Sequence, residues 1–150
     1  GGLVASCSTD LAPDGSKGEG VDCGDFVISG GTVVALGGGD TTPSSESVQN
    51  SVLYKTDATL NSNDVFYVEN EFGGFLMAFQ LPGSFNSLDL MFSSAKFETG
   101  KTYKFYRGLK EILEEEAGIL GYFTVPVCHE GTELFSFTVR EPVTSVDGQQ

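Results

Sequence analysis

One short phrase occurs twice in this chain. Residues 1 to 7 read GGLVASC and residues 30 to 37 read GGTVVALG, each a glycine pair followed by a brief apolar run, with starts 29 residues apart. Recurrence at that interval, in segments too short for helices, fits a coil of β-rungs. In such a coil successive strands run the same way, stack about 4.8 Å apart and turn at glycine corners. The plainer alternative is two ordinary hairpin strands that share a glycine turn. On the coil reading strands fall at 3–7, 25–29 and 32–36, the first two separated by the polar loop STDLAPDGSKGEG. A chain that opens directly on a rung is expected to be a trimmed fragment or a mature subunit whose first rung is covered by something. An uncovered rung offers its backbone row to any passing strand. VASC at 4–7 also has the look of a lipobox, but only three residues precede it, and a lipobox needs a charged and apolar leader. The repeat accounts for more of the sequence.

The coil pattern stops at GGGDTTPSSESVQNS, residues 37–51, which has no periodicity and marks a boundary. Beyond it the chain changes character. VLYKTD, DVFYVEN, GGFLMAFQL, SLDLMFSS and KTYKFYRG are short apolar runs punctuated by Asn, Asp, Gly and Pro, the pattern of antiparallel strands. In TYKFY, Tyr103 and Phe105 share one face while Lys104 and Tyr106 share the other. GLKEILEEEAGILGYF is the helical candidate, with Leu109, Ile112, Leu113 and Ala117 on one face and Gly118 to end it. Strand patterns return in YFTVPV and ELFSFTVREPV. The expectation is an all-β fold in three parts: terminal rungs of a short parallel β-helix at 1–41, a capping region of antiparallel strands at 42–108, and one short helix plus strands at 109–150. A cap is needed because the last rung of a coil otherwise exposes apolar faces and open edges.

Charge and motif content remove several function classes. Acidic residues number 21 against 8 basic, a net charge of −13, which argues against nucleic acid because phosphate contacts need Lys and Arg. No run approaches the roughly 18–20 apolar residues of a membrane span. The single histidine, His129, follows Cys128 directly, and neighbours on a strand point to opposite faces, so they make no dyad. There is no P-loop, no glycine fingerprint after a strand and no zinc spacing. The expectation is a protein that is not an enzyme. Cys7, Cys23 and Cys128 are an odd count and allow at most one bridge within the chain.

Two constellations remain. GEGVDCGD, residues 18–25, places Glu19, Asp22 and Asp25 in a glycine-rich turn, and Asp10 and Asp40 close the corresponding ends of the two repeat strands. A hard cation such as calcium takes six to eight oxygens, and glycine lets backbone carbonyls turn inward to supply some. Solvated turn acids are the bland alternative. The other constellation is basic: Lys96, Lys101, Lys104, Arg107 and Lys110 lie among Phe97, Tyr103, Phe105 and Tyr106. Cations beside exposed rings suit an acidic sugar polymer, through charge-assisted bonds to carboxylates and ring contacts. A solvated strand face would look similar.

GVDCGDFVISGGTVVALGG resembles a family of bacterial surface proteins, calcium-dependent carbohydrate-binding parallel β-helix domains that bind polygalacturonate, or pectin. TPSSESVQNSVLYK, residues 42–55, is similar to that family's Pro-Ser-Ser segment leading into a Val-Leu-Tyr strand, and SFNSLDLMFSSAKFETGKTYKFYRG, residues 84–108, to its closing segment. The resemblance covers about residues 1–108. It implies a right-handed parallel β-helix whose acidic corners hold calcium, with Asp22 at the family's aspartate and Glu19 where the family has Asp; Asp25 and Asp40 join them as metal candidates from the chemistry of the turn and strand ends above. It also implies a location outside the cell or on a bacterial surface. The expected function is therefore non-catalytic binding of an acidic polysaccharide such as pectin, with calcium as cofactor and Lys101, Tyr103, Lys104, Tyr106 and Arg107 as the sugar-facing residues. The alternative expectation is a self-assembling fibre or adhesin subunit, joined end to end through an open rung or by exchange of the C-terminal strand.

Overall fold

The computed structural model describes residues 2–8, 18–38, 42–62, 64–108, 122–123, 131–140 and 142–148. The described residues form ten β-strands and no helix. One sheet holds, in spatial order, β1 (Leu3–Cys7), β2 (Thr32–Gly37), β6 (Leu88–Ser94), β3 (Ser51–Thr56) and β10 (Val143–Asp147). The other holds β8 (Tyr122–Phe123), β5 (Phe75–Gln80), β4 (Val65–Asn70), β7 (Thr102–Gly108) and β9 (Thr132–Thr138). The sheets do not close into a barrel. The helix expected at 109–117, and with it Cys128, His129, Lys110, Asp10 and Asp40, lies outside the described residues.

Period-two alternation decides which side chains face between the sheets. Leu88, Leu90 and Phe92 of β6 and Val52 and Tyr54 of β3 meet Phe66 and Val68 of β4 and Tyr103 and Phe105 of β7 in one buried cluster. Phe92 and Phe105, both at 0% exposure, stack across the gap with ring centroids 5.3 Å apart. Phe105 also lies 5.4 Å from Phe66 and 5.0 Å from Phe135. Each fully buried Phe contributes about 1.5–3 kcal/mol from area removed from water.

The 29-residue repeat is a pairing register. β1 and β2 are parallel, with Leu3 opposite Thr32 and so on to Cys7 opposite Leu36. The glycine before β2 has a steric cause: Gly31 takes φ 86, and a Cβ there would lie 2.5 Å from the Gly2 carbonyl oxygen, which accepts the Thr32 N–H. The parallel β-helix expected from the repeat is not shown. β6 occupies the other edge of β2 and runs antiparallel to it, as it does to β3, so the step after β2 is not another rung. Every pairing in the second sheet is antiparallel. A second parallel pair, β3 with β10, stands at the far edge of the first sheet.

The strand expected at 25–29 is not formed either. The Ile28 N–H, which a ladder would use, donates to Ser47 Oγ at 3.0 Å, and the Ile28 carbonyl accepts from Val48 and Gln49. Gln49 in turn donates to the Gly31 carbonyl and to Ser93 Oγ of β6. These bonds tie the segments before β2 and before β3 over the outer side of the first sheet, where Ala35 and Met91 are both fully buried.

Replacing Phe105 with Ala removes the ring that joins both sheets and is expected to lower unfolding stability by about 3–5 kcal/mol. Urea denaturation followed by circular dichroism measures this.

Candidate functional site

Strand direction gives the sandwich two distinct ends. The connection from β3 to β4 and that from β5 to β6 meet at one end, where Leu60 and Phe85 exchange backbone hydrogen bonds of 2.8 and 2.9 Å and both side chains are buried. That end is closed. At the other end the β4–β5 hairpin and the β6–β7 loop leave a cleft of about 410 Å3 between them.

Asn70 shapes the hairpin. Its Oδ1 accepts the N–H groups of Phe72 and Gly74, an Asx turn that Gly73 completes at φ 80. The turn places Phe72 at the tip with 87% of its surface exposed. Just past it the strands slip register, Val68 pairing Met77 and Glu69 pairing Phe75, so Leu76 is the bulged residue. The Leu76 carbonyl accepts a hydrogen bond from Lys96 Nζ at 3.0 Å, which draws this lysine to the wall of the cleft.

The β6–β7 loop is pinned from beneath. Tyr103, 3% exposed, donates its hydroxyl proton to the Lys96 carbonyl and accepts the Glu98 N–H, both at 2.9 Å. Asn50 Nδ2 donates to the Phe97 carbonyl at 2.7 Å, while the Phe97 ring packs edge-on against Tyr103 at 5.1 Å. Gly100, at φ 83, turns the chain so that Lys101 enters β7 from the cleft. Lys101 is exposed and makes no ion pair with a described residue. The lining thus combines Phe72 and Phe75 with two cations, Lys96 and Lys101, and two carboxylates, Glu71 and Glu98. A pocket of this size falls within the ~300–1,000 Å3 range of small-molecule sites.

The five residues expected to face a sugar do not form one surface. Lys101 and Tyr103 line the cleft, Tyr103 as a buried clamp. Alternation along β7 sends Lys104 and Tyr106 to the outer face of the second sheet. There Lys104 Nζ lies 3.4 Å from Glu133 Oε2, and the Tyr106 ring lies flat on Tyr67 at 4.7 Å. The hydrogen bond and charge of Glu133 raise the Lys104 pKa; partial burial raises that of the Tyr106 phenol. Lys104 therefore stays protonated and Tyr106 neutral through neutral pH. Arg107 stands at the closed end, its Nη2 2.6 Å from Asp64 Oδ2, roughly 20 Å along the strand from Lys101 at the rise of an extended chain.

Glu19, Asp22 and Asp25 are exposed. Glu19 stands at the closed end too, since the Gly18 carbonyl accepts the Gly38 N–H just beyond β2. Among the described residues no three His, Cys, Asp or Glu side chains gather in a way that could hold a metal ion. Asp40 lies outside the described residues.

Sequence reasoning passed over Phe72 and Phe75. The signal was NEFGGF: an aromatic residue at the tip of a glycine turn, where no inward position exists for it to fill. Tyr103→Phe, which leaves the Glu98 N–H without its acceptor, is expected to cost about 1–2 kcal/mol of stability. Phe72→Ala is expected to stay within about 0.5 kcal/mol of the parent, as an exposed tip residue should. Parallel urea titrations of the two variants check both values. The chain matches no protein-family model, no curated protein and no solved structure.

Proposed function

We propose that the protein is a non-catalytic carbohydrate-binding module that takes a carboxylated polysaccharide such as pectin in the open-end cleft, outside the cell or on a bacterial surface. The observation that carries this reading is the pairing of an exposed aromatic platform, Phe72, with the cations Lys96 and Lys101 on a loop fixed by Tyr103 and Asn50. Sugar C–H groups pack on the electron-rich face of an aromatic ring, while Lys101 and Lys96 supply charge-assisted hydrogen bonds to a carboxylate. The pinned loop needs little ordering on binding, which lowers the entropic cost. The resemblance to pectin-binding surface proteins supports the same ligand class. The β1–β2 pair, with its 29-residue register, is kept in this reading as one parallel step of the coil which that resemblance implies.

Calcium held by Glu19, Asp22, Asp25 and Asp40 is a separate proposal, and no step of sugar recognition passes through it. A rise in melting temperature on adding calcium, abolished by Asp22→Asn, would support it.

Self-assembly is the second reading, favoured by one observation. Among the described strands β1 stands at an edge of the first sheet, without charge, proline or bulge, and Val4 on it is 56% exposed; natural edges normally carry such guards. Sedimentation that shows polymers, lost on Val4→Lys, would move this reading ahead of the first.

For the leading reading, isothermal titration with pectin fragments is expected to show binding that Phe72→Ala and Lys101→Ala each weaken by about tenfold. Lys104→Ala and Arg107→Ala should leave it unchanged. Equal losses from all four would point away from the cleft.

A further inference from the structure

The charge balance of the cleft narrows the choice of ligand, on the footing that the cleft binds a carboxylated sugar as proposed above. We infer that it takes a single carboxylated sugar set among neutral ones, and discriminates against a chain in which every sugar is ionised. Lys96 and Lys101 are matched in number by Glu71 and Glu98 along the same walls, and the chain around them carries a net charge of −13. Two ammonium groups satisfy one carboxylate well. A second carboxylate on the adjoining sugar meets Glu71 or Glu98, and a third meets the surrounding negative field, which extends about 8–10 Å at moderate salt. Like charges placed together across an interface are a means of rejecting the wrong partner.

The same two glutamates have a use with a neutral neighbour. A carboxylate accepts hydrogen bonds and cannot donate them, so Glu71 and Glu98 suit the hydroxyl groups of an uncharged sugar. Phe72 and Phe75 suit its apolar face. The lysines differ from each other as well. Neither makes an ion pair with a described residue, but Lys96 gives one ammonium hydrogen to the Leu76 carbonyl at 3.0 Å, so Lys101 has more donors to offer and takes the larger share of carboxylate recognition. The volume of about 410 Å3 holds a sugar unit or two, not a length of polymer.

The test uses the whole chain and three galacturonate hexamers: every carboxyl free, every carboxyl methyl-esterified, and all esterified but one. Isothermal titration at about 50 mM and about 500 mM salt separates screened from unscreened interactions. The single-acid hexamer is expected to bind about tenfold tighter than either of the others at low salt. High salt should narrow its lead over the fully ionised hexamer. Lys101→Gln should bring the single-acid hexamer level with the full ester, and Glu71→Gln with Glu98→Gln should strengthen binding of the fully ionised one. Tightest binding of the fully ionised hexamer, falling steeply with salt, would overturn the inference and leave the proposed function standing. Equal binding of the ester and the single-acid hexamer would also overturn it. Failure of all three to bind would remove the proposed function, and the inference with it.

Discussion

The contact on which everything else depends is the stack of Phe92 on Phe105. Phe92 belongs to β6, which holds β2 and β3 apart in one sheet and pairs antiparallel with both. Phe105 belongs to β7, which pairs with β4 and β9 in the other. Each ring is thus fixed by neighbours on either side, and their 5.3 Å contact sets how the two sheets face one another. Both loops of the cleft begin or end on these strands or on strands paired with them. A shift in the stack would therefore reach Lys101, which stands one residue before β7, and Phe72, on the hairpin beside it. The geometry of the cleft is inherited from the core.

Local pairing was legible in the sequence, and the long-range plan was not. The parallel alignment of 3–7 with 32–36 followed from the repeated glycine pair, and the structure requires glycine at Gly31, where φ is positive and a Cβ would strike the Gly2 carbonyl oxygen across the ladder. The strands from β3 to β7 and β9 followed from alternation and from turn residues, whereas β10 did not: Pro142 reads as the end of the last strand, yet Val143–Asp147 pairs with β3 beyond it. The antiparallel entry of β6 beside β2 is a different matter. SLDLMFSS has the same apolar alternation whichever neighbour it takes, and nothing local fixes its direction. The segment 25–29 misled for another reason. Its apolar residues suit a strand, but Ser47 offers the Ile28 N–H a side-chain acceptor, and such bonds compete with ladder formation.

The candidate site divides in the same way. Basic and aromatic residues close together in sequence suggested one patch, yet a strand sends alternate residues to opposite faces. Tyr103 therefore went to the core and Lys104 to the outer face, while extended rise carried Arg107 to the far end. Of that group, Lys101 keeps an accessible charge in the cleft, because it stands in the turn before the strand begins. The aromatic surface came instead from Phe72, held out by the Asx turn of Asn70. Loops joined by a rigid sandwich, not the strands themselves, supply most of the cleft lining, and loops on rigid scaffolds are where functional residues commonly sit.

The central claim is that recognition occurs at the open-end cleft. Heteronuclear NMR of the labelled chain, titrated with a short carboxylated oligosaccharide, tests it most directly. Recognition at the cleft predicts backbone shifts confined to residues 70–76 and 96–103, with the largest at Phe72 and Lys101. Shifts centred on Lys104, Tyr106 and Glu133, with none at the hairpin tip, would contradict it.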